Sequence, residues 1–571
     1  MQSQRLPGDL ASLIEEGLER WRHEDRVRRL WAADASLWTG QGEERWLGWL
    51  RAGEDELAIR SELAAFAREV RQEGFTHVLL IGMGGSSLCP DVMRRTFGRI
   101  AGWPDLHVLD STDPAQISAC EKTLDLAGTL VIVSSKSGGT LEPDILRAYF
   151  FERVGRVVGA GKAGSRFIAV TDPGSALEET ARADGFRRVF HGVPSIGGRY
   201  SALSNFGMVP AAAMGVDTSR FLDRAGAMAW DCRAWMAHAE NPGVALGVLL
   251  GCAAVSGRDK LTLTASPALT GLGAWLEQLV AESTGKGGKG LIPIDGEELA
   301  APDVYGSDRV FVHTGLAGES AGASDAALDA LAAAGHPVAR ITIEDIGELG
   351  REFFRWEFAT AVAGSIMGIN PFDQPDVEAS KVATKALTAA FEKTGSLPSE
   401  APLAEERGIK LFADAVNADA LKSASGKDRS LKGLLAAHLG RLGPKDYFCL
   451  SAFLEMSDRH QAILQEIRHA VRDARNVGTC LGYGPRFLHS TGQAYKGGPN
   501  TGVFLQVTCD DGADLPVPGR GFTFGIVKQS QARGDFQVLA ERGRRILRAH
   551  LGADVTAGLS SLRDLALQVL R

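Results

Sequence analysis

Val131-Ile-Val-Ser-Ser-Lys-Ser-Gly-Gly-Thr140 runs from an apolar strand pattern into hydroxyls, one lysine and two glycines just before a helical stretch. That succession describes a phosphate cradle. A helix N-terminus leaves backbone N–H groups unpaired and carries partial positive charge, and a bound phosphate answers both. Ser135, Ser137 and Thr140 supply short donors, Lys136 a charge, and Gly138-Gly139 close backbone approach. The structural alternative is a strand followed by an ordinary Ser/Thr-capped helix.

The surrounding rhythm decides the fold class. Strand patterns at His77–Met83, Leu106–Leu109, Thr129–Val133 and Phe167–Val170 alternate with helical stretches, which predicts a parallel sheet covered on both faces. A second series has strands at Lys260–Ala265, Val310–His313 and Val338–Ile343, with helices at Thr270–Thr284 and Ile346–Ile369. The expectation is an α/β chain of two doubly wound parallel-sheet domains, 71–240 and 241–390, behind a helical N-terminal segment, 1–70. Residues 391–480 read as a helical insertion, opening with the loop Thr394–Ala404. Residues 481–571 read as an α+β extension, with strands around Gly502–Thr508 and Gly521–Ile526.

Bulk properties narrow the function classes. A 571-residue chain with 44% hydrophobic and 23% charged residues is ordinary globular material. A formal charge of −8 argues against nucleic-acid or anionic-membrane partners, so an anion site is a local exception. Seven scattered cysteines without Cys-x-x-Cys pairs point to a reducing compartment. The N-terminus carries no signal pattern and no apolar run is long enough to cross a bilayer, so the expected location is cytoplasmic.

Further constellations carry chemistry. Ile81-Gly-Met-Gly-Gly-Ser-Ser87 closes a strand, and Asp110 ends the next. Ser87 stands where a dinucleotide fingerprint needs glycine, so Ser86 reads better as a substrate-hydroxyl donor. Arg199 follows two glycines in Ser195-Ile-Gly-Gly-Arg-Tyr-Ser, where its planar fork can meet an oxyanion. Glu282, in Ala281-Glu-Ser-Thr-Gly-Lys, ends an apolar helix and can be tuned as a base by partial desolvation. In Phe372-Asp-Gln-Pro-Asp-Val-Glu-Ala-Ser-Lys381, the seven-residue spacing puts Gln374 and Lys381 on one helical face. The plainer reading has Asp373 capping a helix with Pro375 in its first turn.

These motifs, in this order from about 75 to 385, resemble those of phosphoglucose isomerases, and more closely the isomerase half of bacterial bifunctional transaldolase/phosphoglucose isomerases. The resemblance implies two sugar-isomerase domains and interconversion of glucose 6-phosphate and fructose 6-phosphate through a cis-enediolate, without metal or organic cofactor. It implies Glu282 as the base and Arg199 as the stabiliser of the enediolate. It gives the phosphate to Ser135, Lys136, Ser137 and Thr140, the sugar to Ser86, Glu142 and Gln374, and a part in ring opening to Lys381. It also raises a homodimer and a functional link to transaldolase as expectations.

The sequence departs from the family pattern twice. Asp376 replaces the usual glycine after Phe-Asp-Gln, adding a carboxylate near the site. The ring-opening histidine normally lies between the glutamate and lysine segments, where only His313 and His336 occur, in unfamiliar surroundings. Phe487-Leu-His-Ser-Thr-Gly-Gln493 has the expected context, so His489 is assigned the role, with His313 the alternative and Lys496 a neighbour of the same pocket. The competing readings are a non-catalytic phosphosugar-binding regulator and an isomerase for another hexose phosphate, such as mannose 6-phosphate. A regulator needs the cradle but not Glu282, Arg199 and Lys381.

Overall fold

Short aliphatic runs bounded by glycine and polar turns build three mainly parallel sheets in the computed structural model, which describes residues 2–51, 57–233, 240–319 and 322–571. The first sheet has the order Asp105–Leu109, His77–Ile81, Thr129–Ser134, Phe167–Thr171, Arg188–His191, all parallel. Its strand order reverses between His77–Ile81 and Thr129–Ser134, so the turn after each strand opens onto the crevice where such sheets bind ligands. Gly82–Ser86 and Ser135–Thr140 are those two turns.

The second sheet runs Val338–Ile343, Arg309–Leu316, Lys260–Ala265, Ile292–Ile294 in parallel, and Gln2–Arg5 adds an antiparallel edge. That edge strand corrects the all-helical expectation for the N-terminal segment. Its polar Gln-Ser-Gln-Arg carries no strand signal and is drawn in by backbone pairing. Elsewhere the segment is helical, and its aromatic rings brace two loops of the core. Trp49, fully buried, stacks on Tyr200 at 5.3 Å, while Trp38 and Tyr200 each pack on Phe372 at 5.2 Å. Such ring pairs contribute about 0.5–1.5 kcal/mol each beyond burial, and these hold the turn before Ser201 against the loop before Gln374.

The larger correction lies beyond residue 400. The helical expectation for 391–480 gives way to a hairpin, Ala404–Glu406 with Ile409–Phe412, and to the strands Tyr447–Phe453 and Gly478–Tyr483. With Gly502–Cys509 and Arg545–Leu551 they form a third sheet, in which Arg545–Leu551, Gly502–Cys509, Tyr447–Phe453 and Gly478–Tyr483 are parallel and the hairpin adds an antiparallel edge. Tyr447-Phe-Cys-Leu-Ser-Ala-Phe453 is buried throughout, and a short apolar run on two covered faces has no alternation by which to recognise a strand. Gly521–Ile526, expected as a strand, instead leads into the helix Phe524–Glu541, whose cap is the Thr523 hydroxyl accepting from Ile526 N–H.

This third core contains a titratable group. His438, fully buried in the helix Leu431–Leu439, bonds the Phe504 carbonyl through Nε2 at 3.0 Å, and its Nδ1 has no partner. Burial, reinforced by Arg441, pushes its pKa down to about 3. The unfolded chain therefore takes up a proton below pH about 6.5 that the folded chain refuses, and stability falls as pH falls. From pH 6.5 to 5.5 the wild type should lose about 1 kcal/mol more than His438→Gln in equilibrium denaturation. Parallel pH profiles would contradict this.

Candidate active site

Three chain segments meet behind the glycine turn after His77–Ile81. Gly84 has φ +55°, and a Cβ there would sit 2.8 Å from both Gln278 Nε2 and the His489 carbonyl. A Cβ on Gly85 would collide with the Gly198 carbonyl. The glycines thus allow three site segments to touch. Asp110, the acid a dinucleotide site would need, is engaged by the Ser87 hydroxyl at 2.9 Å and Arg486 Nε at 3.3 Å.

The cradle forms at the start of the helix Leu141–Val158. Ser135 is buried and its hydroxyl has no protein partner. Thr140, the N-cap residue, makes no side-chain cap bond, and the Ser137 hydroxyl, on an exposed residue, accepts from Gly139 N–H at 3.3 Å. Gly138, at φ +68°, passes so close to the Leu177 backbone that a side chain would not fit. Lys136 does not lie over the cradle: its ammonium pairs with the Asp172 carboxylate and donates to the Val193 and Pro194 carbonyls at 3.3 and 3.5 Å.

Arg199, in the short 3-10 turn Gly198–Tyr200, is 2% exposed. Its Nε donates to Ser283 Oγ at 2.7 Å, Nη1 to Gln374 Oε1 at 3.0 Å, and Nη2 to the Pro371 and Asp373 carbonyls at 2.6 and 2.9 Å. The fork is fixed before any ligand arrives, with Nη1 3.5 Å from Glu282 Oε1. Glu282 ends the helix Leu272–Thr284, and Gln278, one turn earlier, donates through Nε2 to Glu282 Oε2 at 3.0 Å and to the His489 carbonyl at 2.9 Å. Lys286 closes this side. Its ammonium reaches Asp373 Oδ1 at 2.7 Å and the Asn370 carbonyl. Burial, helped by Arg199, brings its pKa down to about 7.

His489 reaches the site from the third sheet. Its Nε2 lies 2.9 Å from Glu142 Oε1, and Gln531 Nε2 donates to the same oxygen at 2.7 Å. Gln531 Oε1 accepts in turn from the Thr112 hydroxyl at 2.7 Å. Burial raises the Glu142 carboxyl, but His489 and the charge of Lys381 outweigh it and hold the group below its ordinary value. Thr112, Gln531, Glu142, His489, Gln278 and Glu282 therefore form one continuous chain of contacts drawn from all three sheets. His313 stands elsewhere: its Nδ1 is 3.0 Å from the Thr264 hydroxyl, and no described contact joins it to Glu282, Arg199 or Glu142.

Other sequence expectations are revised. Gln374 and Lys381 do not share a helical face, because the helix begins at Val377 and Gln374 lies in the preceding loop. Lys381 sits on the exposed first turns, 3.4 Å from Glu378 and within electrostatic reach of Glu142. Asp373 caps nothing and pairs with Lys286, while Asp376 is taken up by Gln493 at 2.7 Å and by Arg542. Lys496 is buried in an ion pair with Asp535 at 2.6 Å and does not enter the site. Gln278, Lys286 and Gln531 were not singled out from the sequence: Gln278 lies one turn before Glu282 in an apolar helix, and Lys286 and Gln531 act through partners distant along the chain.

Residues 67–300 match the family model described as phosphoglucose isomerase. The glucose-6-phosphate isomerase of Rubrobacter xylanophilus is 31% identical over 369 residues, covering 56% of this chain and 84% of that protein. Among solved structures, a hypothetical protein from Thermus thermophilus superposes with a TM-score of 0.58 at 26% identity, over 67% of this chain and 99% of its own. A glucose-6-phosphate isomerase from Chlamydia trachomatis shares the fold, with a TM-score of 0.53 at 22% identity over 68% of this chain and 87% of its own. With 84% of a relative's length aligned at 31% identity, the chain belongs to the phosphoglucose isomerase family.

Proposed function

We propose that this chain interconverts glucose 6-phosphate and fructose 6-phosphate by proton transfer within the bound sugar. The observation that carries the reading is Arg199 Nη1 held 3.5 Å from Glu282 Oε1, with Gln278 linking Glu282 to the backbone of His489. The cradle of Ser135, Ser137 and Thr140 at the helix N-terminus takes the phosphate, and its binding energy positions C1 and C2 at the other end. His489, held by Glu142 at 2.9 Å, passes a proton to the ring oxygen while the anomeric hydroxyl gives one up to solvent, and the chain form opens. Lys381, within electrostatic reach of Glu142, helps keep that carboxylate ionised. Glu282 then takes the proton from C2 as the electron pair moves toward O1, giving a cis-enediolate. Arg199 stabilises its negative charge, and it needs no reorganisation to do so because its donors are already fixed. Return of the proton to C1, with the O2 proton passing to O1, gives the ketose. Ser86 and Gln374 face the sugar hydroxyls. Lys136 acts at one remove, its charge neutralised on Asp172.

A regulator that only bound phosphosugar would need the cradle, not a carboxylate against a preorganised guanidinium, which favours catalysis. Among the described residues no helix is long and apolar enough to cross a membrane. The test is a coupled assay forming glucose 6-phosphate from fructose 6-phosphate with no metal added, run beside mannose 6-phosphate. Turnover of the fructose ester well above the mannose ester is expected, and none with the fructose ester would refute the proposal.

A further inference from the structure

The first and third sheets point the C-terminal ends of their strands at one another. Between Asp105–Leu109 on one side and Tyr447–Phe453 with Gly478–Tyr483 on the other lies a cavity of about 560 Å³, and none of Glu282, Arg199, His489, Ser135 or Thr140 lines it. This is the size of a small-molecule pocket, at the strand ends where α/β sheets bind ligands.

Its walls carry the chemistry. Arg486 is anchored by Asp91 at 2.8 Å and Asp110 at 3.3 Å. Arg94 holds Asp91 through Nε and Nη2 at 3.0 and 2.8 Å, and Arg95 through Nε alone at 3.1 Å. Both side chains are partly exposed, at 38% and 42%, so guanidinium nitrogens not used on Asp91 remain for a ligand. The first turn of the helix Asp458–Arg475 lies in the same wall and adds its partial positive charge. Ser457, Gln461 and Ser490 add polar groups to the same lining. Carboxyl groups of Asp110, Glu277 and Asp458 are interspersed. Burial and the neighbouring Asp295 raise the Glu277 carboxyl well above its ordinary range, which makes it a hydrogen-bond donor near neutrality. Paired cations among hydroxyls and carboxyls suit a ligand with one anionic end and a hydroxylated body, whereas a polyanion would meet the Asp side chains.

We propose that this cavity binds a small phosphorylated polyol, its phosphate on Arg94 and Arg95 and its hydroxyls toward Asp458, Gln461 and Ser490. One wall is the segment Arg486–Thr491, which carries His489. Occupancy therefore bears on ring opening, a consequence that rests on the function proposed above; the binding itself does not.

Calorimetric titration with glucitol 6-phosphate, a hexitol phosphate without a carbonyl, tests it. The wild type should show two sites per chain. The double variant Arg94→Gln/Arg95→Gln should weaken one of them about 100-fold, as expected for losing two charge-assisted contacts. Ala119→Phe, which projects a ring into the cavity and leaves its charges, should weaken the same site. Binding, not turnover, is the readout for both variants, and Ala119→Phe carries the test should the double variant fold poorly. Titrations of the wild type and both variants that superimpose would overturn the proposal. A variant-sensitive site in a protein without fructose 6-phosphate turnover would overturn the function above and leave this site standing.

Discussion

Glu282→Gln should lower kcat for fructose 6-phosphate about 1000-fold while KM changes less than about three-fold, within the range that positioned bases contribute. The amide keeps the shape of the carboxylate. It can still meet Gln278 Nε2, which donates to Glu282 Oε2 at 3.0 Å in the wild type, by presenting its own oxygen there. What it loses is the capacity to take a proton from C2. Wash-out of the C2 hydrogen of glucose 6-phosphate into deuterated water, followed by proton NMR, isolates that step. Exchange at the wild-type rate in the variant would exclude Glu282 as the base. Arg199 stays engaged by Ser283, Gln374 and two carbonyls whatever stands at 282, so the variant should fold normally. A loss of both activity and stability would point instead to a structural role.

His489→Ala should cut turnover of cyclic glucose 6-phosphate about 100-fold, the lower part of the acid–base range. It should act far less on 5-deoxyfructose 6-phosphate, which has no hydroxyl with which to close its furanose ring and reaches the enzyme already open. That contrast separates ring opening from proton transfer, because the second step belongs to Glu282. Gln531→Leu should give the same pattern at about one-tenth the size, since it leaves Glu142 Oε1 with His489 alone and removes one hydrogen bond worth about 1–1.5 kcal/mol. His313→Ala should leave the ratio of the two substrates at its wild-type value, as His313 bonds within the second sheet. Equal losses on both substrates for His489→Ala would remove it from ring opening. Were the split to appear in His313→Ala, the assignment would move there.

The legible part of this molecule was what local chemistry writes into contiguous residues. The strand-turn-helix succession gave most strands of the first two sheets, though not Arg188–His191 or Ile292–Ile294, and of Gly138 and Gly139, both read for close backbone approach, only Gly138 makes one. Arg199 and Glu282 stood out because an arginine after two glycines and an acid ending an apolar helix are locally unusual. What failed depended on partners far along the chain. Lys136 read as a phosphate ligand because Asp172, which its ammonium meets, lies 36 residues away. Gln531 could not be found at all, its partner Glu142 being 389 residues distant. The pairing of Gln374 with Lys381 assumed a helix that begins three residues too late for it. Of the third sheet Gly502–Cys509 was read, whereas Tyr447–Phe453 was hidden by burial on both faces, which erases the alternation that identifies strands.

Glu142 Oε1 is shared between His489 and Gln531, both of which follow it by more than 300 residues. During synthesis the cradle and Arg199 emerge long before either partner. The first sheet is itself unfinished at that stage, because its core takes in Val517, Phe522, Phe524 and Val527 from the same C-terminal region. Packing of the first sheet and the pairing of Glu142 with His489 and Gln531 are thus completed together, when the last segment docks.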